Sequence, residues 1–80
     1  MPTIIDLGAF LIRLFAGEHG LPHVHVVGAD FAAVVTIQSC DILIGNIPPA
    51  HRKLALSWIA DHQSELITAW NDMNPQRSAP

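Results

Sequence analysis

Pro22-His23-Val24-His25-Val26 sets two imidazoles two residues apart with a valine after each. Successive side chains on a β-strand point to opposite faces, so this run as a strand puts His23 and His25 outward on one face and Val24 and Val26 on the other. Gly28-Ala29-Asp30 follows, a composition suited to a hairpin turn, and residues 31–37 read as the returning strand. With Val26 opposite Phe31, as in a four-residue connection, Val24, Val26, Phe31, Ala33, Val35 and Ile37 line one coherent core face. The opposite face then carries His23, His25, Val27, Ala32, Val34 and Thr36. A slip of one residue would bury both imidazoles beside Phe31 and Val35, which is costly for polar rings.

The flanking segments complete the pattern. Residues 9–15 are dense in strand-favouring side chains, with Phe10, Ile12 and Leu14 on one face and Leu11, Arg13 and Phe15 on the other. Residues 3–5 are expected to pair briefly beside them as a short entry strand, with Gly8 breaking any continuous ladder. Ala16 to Pro22 is a turn-rich loop holding Glu18 and His19. Gln38-Ser39-Cys40-Asp41 reads as a turn, and Ile42-Leu43-Ile44 as a last short strand stopped by Gly45-Asn46. Pro48 and Pro49 mark a helix start, since proline fits a first turn whose N–H groups lack internal partners. Leu54, Ala55, Trp58 and Ile59, then Leu66, Ile67, Trp70 and Met73, recur at helical spacing on either side of Asp61-His62-Gln63-Ser64. The expected fold is α+β: a four-stranded antiparallel meander sheet followed by a kinked or two-part C-terminal helix packed on one face. Residues 1–73 make one domain, and 74–80 a flexible tail.

Composition narrows the function. Of 80 residues, 50% are hydrophobic and 14% charged, an apolar balance for so small a body, and burial against a partner is the natural outlet. Arg13, Arg52, Lys53 and Arg77 are the permanent cations in a chain of net charge -3, too few for a lone monomer to grip nucleic acid. Cys40 is the single cysteine, so no intrachain disulfide forms and a cytoplasmic setting is expected. No leader-like start and no membrane-length apolar run is present, so no membrane association is expected.

Two clusters carry potential chemistry. His23 and His25 share a face and could present two nitrogens to a divalent transition metal; no cofactor is otherwise expected. A third ligand would come from Glu18, His19, Asp30, His51 or His62. His51, Arg52 and Lys53 sit in the first turn of the helix, where three donors could meet an anion, although two prolines remove backbone N–H groups and the basic trio opposes the helix dipole.

The Met-Pro-Thr-Ile start, the Phe10-to-Phe15 strand, Pro-His-Val-His-Val, the Gly-x-Asp turn at 28–30 and Glu65-Leu66-Ile67-x-Ala69-Trp70-Asn71 together resemble one small prokaryotic family, domain-of-unknown-function family four-one-six-zero. The resemblance spans about residues 1–73. It implies a small protein often encoded beside a second small protein, in toxin-antitoxin-like or regulatory pairs, and transfers no catalytic residue. Such proteins usually charge the outer face where this chain has Val27, Ala32 and Val34, and their helix start is usually richer in lysine and glutamate. Val27, Ala32 and Val34 are therefore the expected partner surface, taken by a second copy in a homo-oligomer or by a small cognate protein. The alternative is a histidine-based metal-dependent or RNA-cleaving enzyme centred on His23 and His25.

Overall fold

A computed structural model describes residues 3–15 and 20–74. Five strands, β1 (Thr3–Asp6), β2 (Phe10–Leu14), β3 (His23–Gly28), β4 (Ala32–Thr36) and β5 (Ile42–Gly45), precede two helices, α1 (Pro49–Asp61) and α2 (Gln63–Met73). The strands form one antiparallel sheet in chain order. This corrects the expected four strands to five. Gly8 does not interrupt a ladder; it lies in the β1–β2 connection at φ 91°, where a residue without Cβ is at ease. The Leu7 amide donates to the Phe10 carbonyl at 3.0 Å and the Gly8 amide to Asp6 Oδ1 at 2.8 Å, closing the turn so that β1 pairs from Thr3 opposite Leu14 to Asp6 opposite Leu11.

The β3–β4 hairpin is tighter than the sequence suggests. Val26 lies opposite Ala33, not Phe31, and Gly28 donates to the Phe31 carbonyl at 2.8 Å across Ala29-Asp30. The register has moved by two residues, an even step, so every side chain keeps its expected face. Val24, Val26, Ala33, Val35 and Ile37 are all buried. Between β4 and β5 the register shifts at Val34/Val35, which face Ile44 and Ile42 and leave Leu43 as the extra residue of a bulge.

Ile12, Val24, Val26 and Val35 form one buried cluster with Ala55 and Ile59 of α1 and Leu66 and Trp70 of α2, so the helices cover this face of the sheet. Each of the valine, isoleucine and leucine side chains contributes roughly 1.5–3 kcal/mol by leaving water. Pro48 caps α1, its carbonyl taking the His51 and Arg52 amides. The helices are consecutive elements with His62 alone between them. Trp70 is fully buried, whereas Trp58 is half-buried and stacks on the His62 ring at 4.0 Å. Asn74, the first residue of the expected tail, is buried, its side-chain amide donating to the Trp70 carbonyl at 3.1 Å and the Phe15 carbonyl at 3.4 Å. The remainder of the tail, 75–80, and the Glu18 and His19 positions lie outside the described residues. Among those described, no helix is long and apolar enough to cross a membrane.

Candidate functional site

The face turned away from the helices is built by alternation and register. One row crosses all five strands as Ile4, Arg13, His25, Val34 and Ile44, and the next as Asp6, Leu11, Val27 and Ala32. Ile4 and Ile44 are 52% and 67% exposed, Ala32 is exposed, and Leu11, Val27 and Val34 are half-buried. Val27 and Ala32 are cross-strand partners, and Val34 neighbours Ala32 two residues along β4 on the same face. The three expected surface residues thus come together, joined by Ile4, Leu11 and Ile44, which sequence reasoning had not added to them. The signal for Leu11 lay in its shared face with Arg13.

The two imidazoles do not stand equally outward. Their rings are 5.4 Å apart, as neighbours on one side of a strand should be. His25 is half-buried, edge-on to Phe15 at 5.0 Å. His23, by contrast, is only 9% exposed and packs 4.9 Å from the indole of Trp70, so the expectation of two outward rings holds for one of them. The reason is position: His23 opens its strand, within reach of the bulky Trp70 side chain of α2. Its Nδ1 lies 2.7 Å from the Leu21 carbonyl, which can only accept, so Nδ1 is the donor of this contact. Thr36, opposite His23, is buried as well; its hydroxyl lies 2.6 Å from Ser39 Oγ and accepts the Asp41 amide at 3.0 Å.

Arg13 joins the histidines, a neighbour the spacing of the imidazoles alone does not reveal. It faces His25 across the β2–β3 ladder, and its guanidinium lies over the Phe15 ring at 4.8 Å. Its Nε is buried with no hydrogen-bond partner among the described residues. A buried cationic donor without an acceptor is costly, so this atom marks a place where a ligand or partner group could contribute binding energy.

The other candidates separate. Among the described residues no three His, Cys, Asp or Glu side chains converge as a metal-binding group. Asp30 is exposed at the tip of the β3–β4 hairpin, and His62 Nδ1 donates to the Trp58 carbonyl at 2.7 Å. His51 packs between Phe31, stacked at 5.8 Å, and Phe10 at 5.9 Å. Arg52 turns back to the β5–α1 loop, donating to the Ile47 carbonyl from Nε at 3.1 Å and Nη2 at 2.9 Å, and to Asn46 Oδ1 at 3.3 Å. Lys53 is exposed. The structure therefore sends His51 to an aromatic contact and Arg52 to a loop carbonyl instead of gathering the trio around one point.

No curated protein and no solved structure matches the chain. A family model described as Domain of unknown function (DUF4160) matches residues 9–71, which take in β2 through most of α2 and all the rows of the outer face except those of β1. With a match over most of its length, and with β2–β5 and the histidine segment inside it, this chain belongs to the DUF4160 family.

Proposed function

We propose that this chain is a small protein-binding module, one member of a toxin-antitoxin-like or regulatory pair, which binds another protein surface through the outer face of its sheet. The observation that supports it most is the number of apolar side chains on a face that ordinarily carries polar groups: Ile4, Val34 and Ile44 beside Arg13 and His25 in one row, and Leu11, Val27 and Ala32 beside Asp6 in the next. Arg13 on that surface has the character of an interface anchor, with an aliphatic stem, a guanidinium over the Phe15 ring and a buried Nε–H unmet among the described residues.

The test is Val34→Asp, which puts a carboxylate on the outer face between His25 and Ile44. Wild-type protein and the variant are compared by sedimentation velocity and by co-purification from the native cell extract. Loss of the wild-type complex, whether with itself or with a captured partner, in a variant that keeps its circular dichroism supports the reading. An unchanged complex with a folded variant refutes it. The second reading, a histidine-centred enzyme, draws on the 5.4 Å separation of the His23 and His25 rings with Arg13 alongside. Elemental analysis of untagged protein together with an RNA cleavage assay decides it. Stoichiometric metal or His25-dependent cleavage would favour the enzyme.

A further inference from the structure

Asp6 and Arg13 stand on the same outer face, on paired strands, yet they do not serve each other. Asp6 faces Leu11, two residues before Arg13, within reach of a long side chain. Arg13 turns instead to the Phe15 ring at 4.8 Å, and its buried Nε has no acceptor among the described residues. Asp6 is exposed and uses Oδ1 to accept the Gly8 amide at 2.8 Å, which leaves the outer oxygen of its carboxylate for a donor from outside. Beside it opens a cleft of about 330 Å³ whose walls include Asp6, Leu11, Val27, Gly28 and Ala29. An apolar wall with a carboxylate at the rim suits a cationic side chain that has an aliphatic stem.

Resting on the reading of the outer face as a binding surface, we infer that its occupant is a second copy of this chain, seated face to face so that Arg13 of each copy meets Asp6 of the other. A two-fold interface uses the same patch on both copies, so it needs one patch carrying both members of each contact. This face carries an acid with a cleft, a guanidinium whose Nε has no partner among the described residues, and apolar side chains around them. Two sheets packed this way lie about 10 Å apart with their side chains interdigitated. Five strands of four to six residues make a modest contact area. The dimer is therefore reversible, forming as concentration rises, and is set in register by the two reciprocal charge pairs.

Charge reversal and mixing test this with the full chain. Sedimentation velocity from about 10 μM to about 1 mM should show wild-type protein passing from monomer to dimer. Asp6→Arg and Arg13→Asp should each weaken dimerisation at least about tenfold, because each creates two like-charge contacts. An equimolar mixture of the two variants should restore it. In the mixed pair the native Arg13 of one copy meets the native Asp6 of the other, and the introduced arginine meets the introduced aspartate at the second, reciprocal contact. The double variant, with both charges exchanged, should dimerise alone. Asp6→Asn, which keeps an acceptor for the Gly8 amide, and Arg13→Gln should weaken the dimer while preserving the fold, and they carry the test if a reversal misfolds. A wild-type chain that stays monomeric at about 1 mM overturns the second copy as occupant, while a Val34-sensitive complex with a different protein would leave the binding-module reading standing. A dimer indifferent to both reversals, or single variants that fail to recover on mixing, overturns the Asp6–Arg13 register.

Discussion

Gly45 holds φ at +78° on the last strand, and a Cβ added there would run into the backbone carbonyl oxygen of Ala32 on β4. Both penalties fall on backbone, which cannot move aside without breaking the β4–β5 ladder. Gly45→Ala should therefore cost at least about 2 kcal/mol, read as a lowered urea midpoint. Gly8 supplies the control: its φ is +91° but a Cβ there meets open space, so Gly8→Ala should cost only the strain of the left-handed backbone, about 1 kcal/mol. Equal losses at the two positions would refute a steric role for Gly45. The same contrast explains what single residues disclose in advance. Gly45 was legible as the end of a strand, because glycine punctuates, but the neighbour that forbids a side chain belongs to another strand. His23 behaves alike: alternation names its face, whereas its burial is decided by Trp70 on α2.

At the scale of elements, the junction between the helices is pinned to the sheet by one side chain. Gln63 opens α2 and donates from Nε2 to the Ile37 carbonyl at 3.0 Å and the Gln38 carbonyl at 3.1 Å, tying the helix start to the β4–β5 turn. Gln63→Ala should lower stability by about 1 kcal/mol. Gln63→Glu should cost more at neutral pH, because an ionised carboxylate has no proton to offer two carbonyls. Thermal melts of the two variants side by side check the order, and a glutamate variant as stable as wild type would dissociate Gln63 from this role. Periodicity made the helices readable, with Ala55, Ile59, Leu66 and Trp70 reaching the core as their spacing suggests. It also made the strand faces readable despite the two-residue register error, since an even shift preserves parity. β1 was legible only as a brief pairing of residues 3–5 beside β2, because so short a run carries little alternation, and its place as a full fifth strand is fixed by the turn chemistry of Asp6 and Gly8.

For the whole molecule, size and the outer face act together. A domain of this length buries only about two-thirds of its unfolded surface, so its stability lies toward the low end of the usual 5–15 kcal/mol and the proposed association should contribute a visible share. For such a dimer, mass action should make the melting temperature depend on protein concentration. Above the dissociation constant of a dimer, each tenfold increase should raise the midpoint by roughly 3–5 °C, and well below it the midpoint should be constant. Val34→Asp should flatten that dependence, because Val34 faces His25 and Ile44 in the exposed row and takes no part in the buried cluster under the helices. Its dilute midpoint should move little. A core change such as Ile12→Ala should do the reverse, lowering the midpoint at every concentration by an equivalent of about 2–5 kcal/mol while leaving the slope in place. Calorimetric scans over a hundredfold range of concentration separate the two effects. If the wild-type midpoint rises with concentration and the Val34→Asp slope is the same, the association uses another surface, and the apolar row belongs to the folded monomer alone.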